Sequence, residues 1–166
     1  MFIPTHANQG APSFPFASSH SMMSGAFNRQ PGGAPLAGDG HEADKGKPLA
    51  LVVDDAPDVT EMIAMLMSIA GYDVVKAFSA AEAFDRARQE HFTVVVSDIG
   101  MPVMNGYELA EALRALPAYR DVPLIAVTGF AMYDDRERAL SSGFNDFLTK
   151  PINPMDLIDL VKRLRD

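Results

Sequence analysis

From Pro48 onward, short apolar runs rich in β-branched residues alternate with amphipathic helical stretches. Strands are predicted at residues 49–53, 72–77, 92–97, 123–128 and 145–148. Helices are predicted between and after them, at residues 58–70, 80–90, 106–116, 134–142 and 154–165. Strict β-α alternation predicts an α/β fold, a doubly wound five-stranded parallel sheet with helices on both faces and right-handed crossovers.

Composition supports one domain of this kind. The chain has 166 residues, 48% of them apolar, which is enough to bury a core. It contains no cysteine, which excludes disulfides and thiolate metal sites and fits a reducing cytosol. No apolar run approaches the roughly 20 residues that span a bilayer, and the N-terminus has no secretory signal pattern. We therefore expect a cytoplasmic protein without membrane contact.

The first 47 residues differ from the rest. They are rich in Gly, Pro, Ser and Ala and show no helical or strand period, which predicts a disordered tail, with a linker or an overlong start as alternatives. Their charges cancel, so the net charge of −8 comes from residues 48–166. An acidic domain without a basic stripe is a poor binder of nucleic acid. Protein partners or a bound cation are expected instead.

Polar residues follow the predicted strands where those strands end. Asp54 and Asp55 follow the first strand and Asp98 the third, while Thr128 ends the fourth and Lys150 follows the fifth. Carboxyl ends of parallel strands share one rim of the sheet, where ligands bind. Each residue alone could be a helix cap, a turn or a surface charge. Three carboxylates at one rim repel one another unless a cation or proton compensates.

These residue types suit magnesium-assisted phosphoryl transfer. Carboxylate, carbonyl and water oxygens favour Mg²⁺, or Mn²⁺ in its place. Phosphoryl transfer needs a nucleophile and positive charge around the phosphoryl oxygens. Asp98 can supply the nucleophile, Lys150 and the metal the charge, and Thr128 a hydroxyl donor.

Four motifs resemble the receiver domains of two-component response regulators. They are VVDD at 52–55, SDIGMPVMNG at 97–106, VTG at 127–129 and TKP at 149–151. Thr128 follows Asp98 by 30 residues and Lys150 follows Thr128 by 22, which also matches that family. The resemblance covers residues 48–166 and implies a flavodoxin-like (βα)5 fold.

The resemblance implies a role for each acidic residue. Asp98 would be the phospho-acceptor and would share the metal site. Asp55 would bind Mg²⁺ directly and Asp54 through water, and the backbone carbonyl of Gly100 would complete the protein ligands. Gly100 departs from the polar side chain that many receivers carry there, which leaves the lifetime of the phosphoryl group open.

The resemblance also implies a switch. Thr128 would be the switch hydroxyl, Lys150 the phosphate-binding ammonium in a cis peptide with Pro151, and Phe147 the switch aromatic. As Thr128 moves towards the phosphoryl group, Phe147 is expected to turn from an exposed to a buried rotamer and alter the face of the fourth helix. The start of that helix would offer an apolar partner surface formed by Phe130, Met132 and Tyr133. Phe130 is unusually bulky for its position beside the site.

The first helix offers a docking surface for the phosphodonor. Its apolar repeat at helical spacing predicts a core stripe, at Val59, Met62, Ile63, Leu66, Ile69 and Ala70. Its outward face carries one charge, at Glu61, Ala64, Met65 and Ser68. Met62 and Met65 are predicted to contact the donor, although Met62 could equally pack in the core.

The leading interpretation is a single-domain response regulator, because the chain ends at the fifth helix. It would accept a phosphoryl group from a histidine kinase or histidine phosphotransfer protein and bind a downstream protein. It would catalyse only its own phosphorylation and dephosphorylation. Alternatives are a phosphate sink, a detached receiver of a hybrid kinase, and a magnesium-dependent phosphohydrolase that forms an aspartyl phosphate.

Overall fold

The computed structural model describes residues 46–129 and 133–166, without the side chain of Tyr133. The strands are β1 (Leu49–Val53), β2 (Asp73–Ala77), β3 (Val94–Asp98), β4 (Leu124–Thr128) and β5 (Asp146–Thr149). The helices are α1 (Pro57–Ile69), α2 (Ala80–Gln89), α3 (Gly106–Ala115), α4 (Tyr133–Ser142) and α5 (Pro154–Arg165). The predicted tail lies almost wholly outside the described residues and stays a prediction.

The five strands form one parallel sheet in the order β2-β1-β3-β4-β5. This confirms the predicted doubly wound, flavodoxin-like fold. The strand order reverses between β1 and β3: β2 lies on one side of β1, whereas β3, β4 and β5 follow one another on its other side. Val53 pairs in register with Ser97, so the residues that follow them lie side by side at the switch point.

Two apolar layers cover the sheet. Side chains of α2, α3 and α4 pack with Leu51 and Val95 on one face. Those of α1 and α5 pack with Val52 and Val96 on the other. Every residue of β3 is buried, as expected for a central strand in a parallel sheet.

Capping fixes the helix starts near the sheet rim. Asn105 and Glu108 form a capping box at α3, and Asn153 accepts a hydrogen bond from Met155 N at α5. Ser79 caps α2, since its hydroxyl accepts a hydrogen bond from Glu82 N at 3.1 Å. These caps satisfy helix N–H groups that would otherwise lack partners.

Two assignments on α1 were wrong. Ile69, predicted in the core, is 67% exposed, whereas Ala64, predicted outside, is 8% exposed. The buried stripe includes Thr60 and Met67, and at 100° per residue it places Ala64 inside and Ile69 away from the sheet. The sequence also did not predict the short 3₁₀ helix Pro117–Tyr119.

Candidate functional site

The predicted polar residues meet at the carboxyl rim of the sheet. Carboxylate oxygens of Asp54, Asp55 and Asp98 lie within 4.8 Å of one another. Thr128 and Lys150 line the same cleft, whose volume is about 340 Å³. The structure therefore brings together all five residues that the strand ends predicted.

Asp54 is held by the protein through both carboxylate oxygens. It is fully buried; its Oδ1 accepts from Ala56 N at 2.9 Å, and its Oδ2 accepts from Lys150 Nζ at 2.8 Å. Asp55, next in the chain, is exposed. The two neighbouring aspartates therefore present their carboxylates differently, one engaged with the protein and the other facing solvent.

Thr60 supports this acidic loop and was not recognised from the sequence. It is fully buried in α1, and its hydroxyl donates to the backbone carbonyls of Asp54 and Ala56, both at 3.0 Å. A buried threonine hydroxyl needs such acceptors. Its position on the buried stripe of α1 was the available signal.

Lys150 links two of the three carboxylates. Its ammonium lies 2.8 Å from Asp54 Oδ2 and 3.2 Å from Asp98 Oδ1. The Lys150-Pro151 peptide is cis, as the resemblance predicted. Of the residues that line the described cleft, four are acidic and one is basic, so the cleft is strongly negative.

This crowding changes the protonation of the site. Burial raises the pKa of Asp98 above its ordinary value of 3.8, Asp54 and Asp55 raise it further, and Lys150 opposes them. Burial by itself would lower the pKa of Lys150. The hydrogen bonds and charges of Asp54 and Asp98 outweigh it and raise that pKa above 10.5. The ammonium therefore stays charged at neutral pH.

Glycines shape the cleft in two ways. A side chain at Gly106 would place its Cβ 2.3 Å from the carbonyl oxygen of Asp98, so only glycine lets α3 begin directly against the end of β3. At Gly100, which lines the cleft, a Cβ would meet nothing within 4 Å. Packing thus permits a side chain at Gly100, and its absence leaves the cleft wider.

Thr128 and Phe147 lie on adjacent strands. Thr128 is buried at the end of β4, and its carbonyl accepts from Lys150 N at 2.7 Å. Phe147 is half-buried rather than exposed, and it packs against the apolar layer of α3 and α4. The Arg136 guanidinium of α4 lies 5.6 Å from its ring centroid. The ring is thus already partly covered before any switch.

The predicted partner surfaces are only partly described. Met65 is 60% exposed, whereas Met62 is half-buried against the core. Phe130 and Met132 lie outside the described residues, as does the side chain of Tyr133. The assignment of all five to partner binding stays a prediction.

A contact across the cleft was also missed. The Tyr107 hydroxyl of α3 donates to Asp135 Oδ1 of α4 at 3.3 Å, and both residues line the cleft. Tyr107 directly follows Gly106, the last residue of the second motif, which was the available signal. Nothing in the sequence indicated Asp135 as its partner.

Comparison with known proteins shows the family of the chain. The chain belongs to the response regulator receiver domain family, whose pattern matches residues 50–162. It is 43% identical over 113 residues to a 14.6 kDa protein in the sodA1 3' region of Leptolyngbya boryana, covering 68% of this chain and 86% of that protein. It is also 36% identical over 128 residues to the sensor protein GacS of Pseudomonas syringae, covering 72% of this chain and 14% of GacS.

Solved structures show the same fold. The Vibrio cholerae chemotaxis protein CheY4 superposes with a TM-score of 0.68 at 30% identity, covering 71% of this chain and 98% of CheY4. The receiver domain of the Pseudomonas aeruginosa sensor histidine kinase PA1611, which has magnesium coordinated in its active-site cleft, gives 0.67 at 30% identity, with coverages of 72% and 99%. Within the described residues of this chain, no helix is long and apolar enough to cross a membrane.

Proposed function

We propose that this chain is a response regulator that accepts a phosphoryl group on Asp98 and signals by binding another protein. The observation that carries the proposal is the position of Asp98, next to Asp54 and Asp55 and 3.2 Å from the Lys150 ammonium. An acidic nucleophile beside a fixed cation is what phosphoryl transfer requires from a protein.

The acidic residues fit a magnesium ion. One ammonium cannot balance the carboxylates of Asp54, Asp55 and Asp98, and an all-oxygen donor set suits Mg²⁺. Asp55 is exposed and free to approach a metal directly, while both oxygens of Asp54 are engaged, which favours a contact through water. Gly100 lines the cleft and would contribute its carbonyl. When bound, the ion would neutralise charge on the transferring phosphoryl group.

The transfer itself uses side chains of this chain. A carboxylate oxygen of Asp98 attacks phosphorus, the bond to the donor's histidine nitrogen breaks, and its electron pair returns to the imidazole. The Lys150 ammonium, which already contacts Asp98 Oδ1, would bind a phosphoryl oxygen. Thr128 is buried at the same rim and would donate its hydroxyl to another.

The donor is proposed to be a histidine kinase or histidine phosphotransfer protein. Two similar proteins are sensors, GacS and PA1611, which supports a partner of this class. The same similarity favours a second candidate function, in which the domain acts as a phosphate sink or a separate receiver of a hybrid kinase. Phosphorylation-dependent binding of a downstream protein distinguishes the first role from the second.

The output is proposed to pass through Phe147. It is half-buried beneath Arg136, so deeper burial of the ring would withdraw it from the guanidinium and free the surface of α4. Burying a phenyl ring completely contributes roughly 1.5–3 kcal/mol, and a ring that is already half-buried gains only part of it. That part is comparable to a typical coupling energy of about 1–3 kcal/mol.

Mass spectrometry of the intact protein tests the proposal. After incubation with acetyl phosphate and Mg²⁺, the wild type should gain one phosphoryl group and the Asp98→Asn variant none. We propose no turnover of external phosphate esters, so phosphate release from a small ester should stay at the rate measured without protein. Continued release would favour the phosphohydrolase, and no mass gain under any condition would contradict the proposal.

A further inference from the structure

Tyr107 and Asp135 face each other from two different helices in the wall of the cleft. The Tyr107 hydroxyl donates to Asp135 Oδ1 at 3.3 Å, across 28 residues of sequence. Both side chains line the cleft that holds Asp98. This hydrogen bond therefore joins the α3 wall of the cleft to the α4 wall.

The chain fixes Tyr107 at this position from two sides. Gly106, the residue before it, lies against the backbone of Asp98, which places the start of α3 next to the predicted phosphorylation site. The Tyr107 ring is 7% exposed, and the Arg138 guanidinium of α4 lies 4.4 Å from its centroid. The ring thus contacts α4 through both its hydroxyl and its face.

The remaining described walls offer little obstruction. Gly100 and Gly129 line the cleft, and a Cβ at either position would meet nothing within 4 Å. The glycines leave their side of the cleft unobstructed, whereas on the α3–α4 side the Tyr107–Asp135 bridge closes the described wall.

We propose that the Tyr107–Asp135 hydrogen bond is a gate that limits water access to a phosphoryl group on Asp98 and so lengthens its lifetime. The inference rests on the proposed phosphorylation of Asp98. The two residues act as positioning residues, because they influence the reaction by holding α3 and α4 together.

The reaction that the gate slows is hydrolysis of the aspartyl phosphate. A water oxygen attacks phosphorus, and the bond from phosphorus to the Asp98 oxygen breaks with its electron pair. Asp98 is restored as a carboxylate, and both water protons leave on the product, H₂PO₄⁻. Burial, followed by the charge and hydrogen bond of Asp135, raises the pKa of Tyr107 above 10, so its hydroxyl remains a donor while this occurs.

Four variants separate the bridge from other effects. Tyr107→Phe removes the donor and Asp135→Ala the acceptor, whereas Asp135→Asn retains an acceptor oxygen but loses the charge. Tyr119→Phe is the matched control, because it removes a buried tyrosine hydroxyl that donates to Glu90 O at 2.7 Å, at the amino end of β3 and away from the cleft.

The experiment labels each protein with acetyl phosphate and Mg²⁺, removes the donor by desalting, and follows the loss of phosphate by intact mass. Tyr107→Phe and Asp135→Ala should lose phosphate about 2- to 10-fold faster than wild type, as expected for losing one hydrogen bond of typical net strength. Asp135→Asn and Tyr119→Phe should stay close to wild type. Equal rates of phosphate loss in wild type and Tyr107→Phe would overturn the gate. It would also be overturned if Tyr119→Phe or Asp135→Asn lost phosphate as fast as Asp135→Ala does.

Hydrogen exchange of the unphosphorylated protein separates failure of the gate from failure of the proposed function. Backbone amides of residues 137–141, which lie beyond the first turn of α4 and can be protected by helix hydrogen bonds, should exchange faster in Tyr107→Phe than in wild type or Tyr119→Phe if the bridge holds α4. If Tyr107→Phe exchanges faster but the wild type never accepts phosphate, the bridge between α3 and α4 is supported and the proposed phosphorylation of Asp98 is rejected. Unchanged exchange together with unchanged phosphate loss would reject the gate alone.

Discussion

Lys150 pairs with Asp54 more closely than with Asp98: its ammonium lies 2.8 Å from Asp54 Oδ2 and 3.2 Å from Asp98 Oδ1. Asp54 is fully buried, and the Lys150 side chain is 26% exposed. The ammonium thus balances a buried carboxylate. In the proposed function, the same position lets it reach a phosphoryl group on Asp98.

The Lys150→Met variant should therefore lose stability as well as phosphorylation. Removing the ammonium leaves one oxygen of Asp54 buried without a donor, which costs about 1–3 kcal/mol. Urea unfolding in EDTA measures this loss, and acetyl phosphate labelling should fall sharply. Lys162→Met, at an exposed position of α5, is the control and should change neither. Unaltered stability in Lys150→Met would show that the Asp54 pair contributes nothing.

Asp98 should make the metal-free protein less stable as pH rises. Folding raises the pKa of Asp98 above 3.8, so the folded state keeps the proton to a higher pH than the unfolded state does. The resulting loss of stability begins near pH 3.8 and is complete above the raised pKa of the folded state. Asp98→Asn cannot ionise, so its stability relative to wild type should increase across this window and then level off.

Urea unfolding of wild type and Asp98→Asn at several pH values in EDTA checks the sign. The variant should be more stable at pH 7, and the difference should shrink in acid. A variant less stable than wild type at pH 7 would mean that the Lys150–Asp98 contact outweighs burial and repulsion.

Asp55→Ala should separate metal binding from folding. Asp55 is exposed and adds to the repulsion at Asp98, so its removal should leave the stability in EDTA equal to or above that of wild type. Magnesium binding, followed by calorimetry, and acetyl phosphate labelling should both be abolished. Asp58→Ala, an exposed aspartate of α1 outside the cleft lining, should retain both. Magnesium binding by Asp55→Ala would reject Asp55 as a direct ligand.

Strand-end residues could be predicted because topology alone decides where they meet. In a parallel sheet, the ends of β1, β3 and β4 share one rim, so Asp54, Asp98 and Thr128 needed only a correct strand assignment. The half-buried position of Phe147 was not foreseen, because β5 lies at the sheet edge and its covering by Arg136 depends on how α4 packs. The same holds for Tyr107 and Asp135, which meet only after two helices pack.

Met65→Glu should impair transfer from a protein donor while preserving labelling by a small one. Met65 is 60% exposed on α1, so glutamate fits there without a packing cost. Transfer from the cognate kinase should slow about tenfold or more, which corresponds to roughly 1.4 kcal/mol of lost contact. Leu140→Glu, 45% exposed on α4, is a control on the other face of the sheet. Equal losses with kinase and acetyl phosphate would indicate misfolding.

The identity of the phosphorylated carboxylate is the central claim, because Asp54, Asp55 and Asp98 all lie within 4.8 Å of one another. Borohydride reduces an acyl phosphate to an alcohol, which converts a phosphorylated aspartate to homoserine. Peptide mass spectrometry after acetyl phosphate, Mg²⁺ and borohydride should locate homoserine at position 98 alone. Homoserine at position 54 or 55, or at none of the three in protein that binds Mg²⁺, would contradict the account.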